Sequence, residues 1–271
     1  MVVTDMDGTL LNSNHEVSSD FFKLFEDLKK HNILFVAASG RPFYSMSKKL
    51  QPILKDITIV AENGGLIIEN DKLLLSTAID NKKLNNLYTL ADSIENAFPI
   101  FCTKEMAYIL RTSDALIKLF SEFYNNYTVI DSLEEVKSDV IKIALYNETN
   151  SEAHIYPHVK HLENDFNVVV SGNHWVDISE TITNKGYAID FLQKHYNINP
   201  SETMAFGDYN NDFEMLQRAS FSYAMANAHD NIKSIANFQT KSNDDFGVEY
   251  ILKQLINNKV LASKSSNNQT S

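Results

Sequence analysis

Short apolar runs alternate with amphipathic stretches at both ends of this chain. Val2-Val3 leads into a polar loop, and Ser18 or Ser19 can cap a helix running to about His31 with Phe22, Phe25 and Leu28 on one face. Ile33–Ala38 then reads as a buried strand, a second helix follows Pro42, and Ile57–Ala61 is another strand. Continuous apolar strands separated by helices predict a parallel sheet covered on both faces. Leu66–Glu69 and Leu73–Leu75, parted by Asn70-Asp71-Lys72, predict a hairpin.

From about Asn81 the pattern changes. A helix near Leu84–Phe98 is followed by strands at Phe101–Thr103 and Ala107–Arg111, a helix near Ala115–Tyr124, and strands at Val140–Leu145, Val168–Ser171 and Trp175–Ile178. Paired strands with helices suit an α+β unit on an antiparallel sheet. The first pattern then resumes, with a helix at Lys185–Tyr196, a strand at Thr203–Gly207, a helix start at Asp212–Arg218 and a strand at Phe221–Met225. The expected organisation is a discontinuous α/β domain over residues 1–80 and 180–258, an insert over 81–179, and a flexible tail over 259–271.

Composition narrows the function. A chain of 271 residues with 44% hydrophobic and 22% charged positions is expected to be globular and long enough for two domains. Its net charge of −11 argues against nucleic acid or an acidic membrane as partner, so an anionic substrate needs a local positive site. Cys102 is the only cysteine, which excludes an internal disulfide and a Cys-rich zinc site and suits a small apolar residue on a strand. No apolar run approaches the ~20 residues of a membrane span, and no basic-then-apolar leader precedes Val2. The expectation is a soluble, cytoplasmic protein, monomeric or a weak homo-oligomer.

In an open parallel sheet, ligands bind beyond the carboxyl ends of the strands. The residues following each apolar run form a coherent set: Asp5-Met6-Asp7-Gly8-Thr9, Ser39-Gly40-Arg41, Asn184-Lys185, and Gly207-Asp208 with Asn211-Asp212. Paired carboxylates can share one divalent cation while one of them attacks an electrophile, and a hydroxyl, backbone N–H groups and a fixed ammonium can hold phosphate oxygens. An Asp with an ordinary pKa near ~3.9 is already ionised at neutral pH, so Asp5 needs no deprotonating partner. Lys185 at a helix start opposes the positive helix terminus, which implies a nearby anion. Asp212 suits a helix cap and a metal-site role equally. Asn63 suits the turn before Gly64-Gly65, and Arg41 either a surface position or an ion pair at the mouth of the site. Trp175, His174, Tyr108 and Tyr44 are candidates for a sugar pocket, although a packing role suits each one singly. His154, His158 and His161 at helical intervals read as a solvated face.

This constellation resembles the haloacid dehalogenase (HAD) superfamily of phosphatases over nearly the whole chain. Asp5-x-Asp7-Gly8-Thr9, Ser39-Gly40, Lys185 and Gly207-Asp208-x-x-Asn211-Asp212 appear in the family's order. The insert, with Glu62-Asn63-Gly64-Gly65, Met225-Ala226-Asn227-Ala228 and Asn243-Asp244-Asp245-Phe246-Gly247-Val248, is similar to the Cof-type (subfamily IIB) branch and most similar to bacterial sugar phosphatases. The resemblance implies a Rossmann-like core with an inserted C2B cap. It implies Asp5 as nucleophile, forming an aspartyl phosphate, and Asp7 as acid and then base. Mg²⁺ would be held by Asp5, the Asp7 carbonyl and Asp208, with Asp212 behind them. Met6, Ser39, Gly40, Lys185 and Asn211 would bind the phosphoryl oxygens.

The implied activity is Mg²⁺-dependent hydrolysis of small phosphorylated metabolites, above all sugar phosphates. A phosphomutase or phosphotransferase would use the same intermediate, and a silent sugar-phosphate sensor would lack turnover. A response-regulator receiver shares some residue types, but its acidic pair is not followed by Gly-Thr. Two departures stand out: Ala226 replaces a frequent Gly, and the strand before Asp5 is shorter than usual, which implies a natural start further upstream.

Overall fold

The computed structural model describes residues 1–267, with side chains to residue 258, so the flexible tail expected over 259–271 lies outside the fully described residues. The first part of the chain forms β1 (Val2–Asp5), α1 (Ser19–Lys30), β2 (Phe35–Ala38), α2 (Phe43–Lys49), β3 (Thr58–Ala61), β4 (Leu66–Glu69) and β5 (Lys72–Ser76). There follow α3 (Asn81–Asp92), β6 (Phe98–Thr103), β7 (Ala107–Leu110), α4 (Asp114–Phe123), β8 (Tyr127–Ile130) and β9 (Val140–Tyr146). Short helices α5 (Ser151–His154) and α6 (Tyr156–Val159) lead to β10 (Phe166–Gly172) and β11 (Trp175–Glu180). The last part forms α7 (Lys185–Tyr196), β12 (Met204–Gly207), α8 (Phe213–Gln217), β13 (Phe221–Ala224), α9 (Asp230–Ile235), β14 (Phe238–Gln239) and α10 (Gly247–Asn267).

Eight strands form the first sheet in the order β14-β13-β12-β1-β2-β3-β4-β5. The pairs from β14 to β3 are parallel, and the β4–β5 hairpin adds antiparallel strands at one edge. Its two-residue turn places Asn70 and Asp71 at φ 47° and 61°, left-handed values that short polar side chains tolerate. All four residues of β1, β2 and β3 are buried, as helices on both faces require. Helix α1 starts where the Ser18 hydroxyl accepts the Phe21 N–H, and it buries Phe21, Leu24, Phe25 and Leu28. Phe22, expected on that face, is only partly buried, one position off the stripe. Burying a side chain such as Phe25 contributes about 1.5–3 kcal/mol, and its ring packs edge-on to Phe35 at 6.0 Å.

The second sheet, β10-β11-β9-β6-β7-β8, is antiparallel except for the β7–β8 pair. Ile143 and Leu145 face Leu84, Leu87 and Ala91 of α3, while Ala144 and Tyr146 cluster with Leu116 and Phe120 of α4. Helix α3 ends at Asp92 rather than continuing to Phe98 as its apolar spacing predicts. Asn96 at φ 57° breaks the helical path, and Phe98 begins β6 instead. The two chain crossings between the sheets touch through the Thr77 and Thr183 hydroxyls, 2.7 Å apart, and Ile141 of β9 packs into the core around the first sheet.

β1 continues through α1 to β2 on one side, while its neighbour β12 continues through α8 to β13 on the other, so the strand order reverses between them. Such a switch point opens a crevice at the carboxyl ends of the strands. Helices α7 and α8 meet beside it at Gly186, where a Cβ would lie 2.5 Å from Glu214 Cβ and 2.8 Å from its carbonyl carbon. Gly186→Ala is therefore expected to lower stability by about 1–3 kcal/mol, since backbone cannot step aside. Gly172→Ala, whose nearest neighbour would be Trp175 Cδ1 at 3.9 Å, is expected to stay within about 0.5 kcal/mol of the parent in urea unfolding.

Candidate active site

Four chain segments converge on the crevice. β1 delivers Asp5, 5% exposed; β12 delivers Gly207 and then Asp208; the turn after it supplies Asp212; and the first residue of α7 is Lys185, fully buried. Asn184 caps α7 by accepting the Tyr187 N–H at 2.8 Å, which fixes the helix start and so the root of the Lys185 side chain. Lys185 Nζ donates to Asp5 Oδ1 and to Asp212 Oδ1, each at 2.5 Å. The other Asp212 oxygen accepts the backbone N–H groups of Asp208 and Tyr209 at 2.9 and 3.1 Å. Asp212 precedes α8 but its side chain makes no capping bond to that helix; it ties down the loop before it and pairs with the lysine.

Oxygen atoms of Asp5, Asp208 and Asp212 lie within 4.8 Å of one another. Three carboxylates against one ammonium leave two negative charges, and hard oxygen donors in that number fit a divalent cation such as Mg²⁺. Asp208 Oδ1 also accepts the Thr9 hydroxyl at 2.8 Å. Gly8 passes the same carboxylate at φ 77°, and any Cβ there would lie 2.3 Å from Asp208 Oδ2. That contact explains the glycine in the acidic loop. The Asn227 amide donates to the Gly8 carbonyl and the Asn243 amide to the Leu11 carbonyl, at 2.8 and 2.9 Å, so both asparagine motifs brace this loop. Ala226 has no left-handed backbone, and glycine is not needed there.

The titration of Asp5 differs from the sequence expectation. Burial raises its pKa well above the usual carboxylate value, and Asp212 and Asp208 add to the rise, although Lys185 opposes it. Its ionised form rests on the neighbouring ammonium and on any bound cation, not on an ordinary pKa. Burial pushes the Lys185 ammonium toward neutrality, but Asp212 and Asp5 more than offset this and keep it charged. Asp7 behaves in the opposite way. Burial opposes its charge, yet Arg41 grips both oxygens at 2.6 Å and lowers its pKa. Arg41 thus forms an ion pair at the edge of the crevice.

Among the remaining candidates, Met6 is fully buried next to Asp5, and Ser39 is 2% exposed at the end of β2. The Ser39 hydroxyl accepts the Arg41 N–H at 3.1 Å. Asn211 donates to Asn63 Oδ1 at 3.0 Å, while the Asn63 N–H reaches the Ser39 carbonyl at 2.9 Å, so Asn63 does more than shape a turn. The sugar-pocket candidates are packing residues. Trp175 lies among Phe120, Phe123, Tyr124 and Tyr146, Tyr108 is buried in the other cluster of the insert, and His174 stacks on Tyr146. The sequence assigns no role of their own to Glu62, quoted only within its motif, or to Lys142 and Asp177, yet the three form buried ion pairs. The signal was a lone Lys inside the apolar run Val140–Leu145.

A carboxylate at a strand end, a buried lysine and a second acidic loop at a topological switch point define a phosphoryl-transfer enzyme of the α/β class. The chain belongs to the haloacid dehalogenase-like hydrolases, the family that it matches over residues 2–252. It is 27% identical to the 5-amino-6-(5-phospho-D-ribitylamino)uracil phosphatase YbjI of Escherichia coli, covering 94% of this chain and 96% of that one. A solved protein of Streptococcus mutans superposes with a TM-score of 0.85 at 29% identity, covering 94% and 98% of the two chains. The HAD subclass IIB sugar phosphatase BT4131 shares the fold, with a TM-score of 0.80 at 21% identity over 94% and 98%. The core with its inserted cap is therefore the Cof-type arrangement, and the protein is a phosphoric monoester hydrolase.

Asp208 gives this site a measurable electrostatic signature. Burial pushes its pKa up to about 6 from an ordinary 3.8, so its charge costs stability that the unfolded chain does not lose. The sign follows: the protonated folded form is favoured below 3.8, and stability declines as pH rises from 3.8 through 6. Metal-free Asp208→Asn is expected to exceed the parent in stability by on the order of 2 kcal/mol at pH 7.5. The gain should shrink as pH falls from 6 toward 3.8 in urea unfolding with EDTA present.

Proposed function

We propose that this enzyme hydrolyses small phosphorylated metabolites, above all phosphates of sugars and related polyols, with Mg²⁺ at the Asp5–Asp208 cluster. The pairing of Asp5 with the buried Lys185 carries the reading: it leaves Asp5 Oδ2 as an anionic oxygen held in one orientation at the end of β1. Asp5, Asp208 and the Asp7 carbonyl would hold the metal, which when bound neutralises charge on the transferring phosphoryl group. Asp5 Oδ2 attacks phosphorus, the ester P–O bond breaks, and the leaving alkoxide takes a proton from Asp7. Water then attacks the aspartyl phosphate, Asp7 accepts its proton, and the Asp5–phosphorus bond breaks to release phosphate. Ser39, Lys185, Asn211 and the Met6 and Gly40 N–H groups would bind the phosphoryl oxygens. To act as an acid, Asp7 must first leave Arg41, whose grip favours its charged form.

Two relatives support the substrate class. YbjI is named for a phosphorylated ribityl chain and BT4131 for sugar phosphates, and both descriptions place the phosphate on a polyhydroxylated carbon chain. The insert, as a cap over residues 81–179, would supply selectivity for the leaving group, since the core treats the phosphate alike in every ester. The acidic net charge disfavours nucleic acid as substrate, and no helix among the described residues is long and apolar enough to cross a membrane.

The test is turnover on a panel of sugar, polyol and aryl phosphates with Mg²⁺ or EDTA. Hydrolysis is expected to require the metal and to favour polyol esters over the aryl ester. Asp5→Asn should abolish turnover, and Asp7→Asn should lower it by about 10²–10⁴-fold. Acid-quenched enzyme should carry label only at Asp5. Label at Asp7 or Asp208, or full activity in EDTA, would refute the scheme.

A further inference from the structure

One face of the cap sheet carries Lys142 and Asp177 beside an apolar cluster, and Lys142 reaches from it to the core. Register pairs Cys102 with Lys142, Lys142 with Ser179, and Ala144 with Asp177, so Cys102, Lys142 and Asp177 share a face. Lys142 is 5% exposed, and its Nζ lies 2.7 Å from Glu62 Oε2 and 3.3 Å from Asp177 Oδ2. Glu62 belongs to the core, is 1% exposed and sits at φ 51°, so this ion pair joins cap to core through a strained turn. Neither Glu62 carboxylate oxygen has a hydrogen-bond partner, so Lys142 holds it as an ion pair alone. Burial pushes Lys142 toward neutrality, but Asp177 and Glu62 hold it charged. None of the three takes part in the chemistry assigned above. A buried ion pair is weak support for stability, so its presence beside a catalytic loop calls for another account.

The third contact of Lys142 supplies one. Its ammonium donates to the Gly40 carbonyl at 3.4 Å, and the N–H of that same peptide, on Arg41, donates to the Ser39 hydroxyl at 3.1 Å. A cation on the carbonyl polarises the peptide and strengthens the N–H bond beyond it. With a lone pair of the Ser39 hydroxyl engaged, its proton is directed elsewhere. The Glu62 N–H meanwhile holds the Arg41 carbonyl at 3.1 Å, so the loop is gripped at two successive peptides. We infer that Lys142, reaching down from the cap, is a positioning residue that orients the Ser39–Gly40 loop for the transferring phosphoryl group. The inference rests on the proposed role of Ser39 and Gly40 in holding that group.

The test reads the inhibition constant of inorganic phosphate during Mg²⁺-dependent aryl-phosphate hydrolysis, beside thermal melting. Lys142→Met leaves two buried carboxylates and is expected to melt lower, so it is paired with Glu62→Gln to remove one of those charges. The double variant should melt near the parent yet bind phosphate about tenfold more weakly, as expected for losing one charge-assisted hydrogen bond. Glu62→Gln alone keeps the Gly40 contact and should hold the constant within about threefold. A double variant that folds and binds phosphate as tightly as the parent overturns the inference. So does an equal loss in Glu62→Gln alone, because the effect would then run through the turn. Ser39→Ala separates the two readings: if it leaves phosphate binding unchanged, the loop assignment itself fails. If it weakens binding while the double variant does not, only the role of Lys142 fails.

Discussion

The ammonium of Lys185, enclosed between Asp5 and Asp212, is the interaction on which the rest of the site depends. Gathering carboxylates at a buried sheet end is costly because each loses its hydration and repels the others. One internal cation offsets part of that cost and orders the remainder: it sets the Asp5 oxygen, and through Asp212 it sets the backbone that carries Asp208. A helix start is a poor place for a lysine, since its charge opposes the helix dipole. The position is tolerated because the carboxylates in front of it outweigh the dipole behind it.

What the sequence showed and what it hid follow from how far each cause reaches. The parallel core was legible because β1, β2 and β3 are short, continuous and wholly buried, a pattern that local composition records. The site segments were legible because strand ends and acidic loops are local features whose convergence a parallel sheet enforces. The end of α3 was not, because Leu84–Phe98 stays apolar at helical spacing while a left-handed Asn96 redirects the chain. Trp175 and Tyr108 look the same in sequence whether they face a cleft or a core, and only the register of β7 and β11 decides. The raised pKa of Asp5, the Arg41–Asp7 pair and the burial of Lys142 come from residues tens to hundreds of positions apart. No window along the chain contains them.

The same distinction separates the two halves of the protein. The core fixes its reacting groups through contacts within one sheet end, whereas the cap meets that sheet through Ile141 in the core cluster and Lys142 on Glu62. The aromatic cluster around Trp175 stiffens the cap itself. The rings that composition first suggests as a pocket are thus taken up in packing the insert.

The strand order also bears on synthesis. β1 pairs with β2, made some thirty residues later, and with β12, whose Met204 lies opposite Val2. At roughly 5–20 residues per second, one edge of β1 waits tens of seconds on the ribosome for that partner. During that time Asp5 has neither Lys185 nor Asp212, and an apolar strand edge stays open to pairing with other chains. The centre assembles only once most of the chain has been made. A chain halted inside the cap is therefore inert as an enzyme and exposed as a template for aggregation.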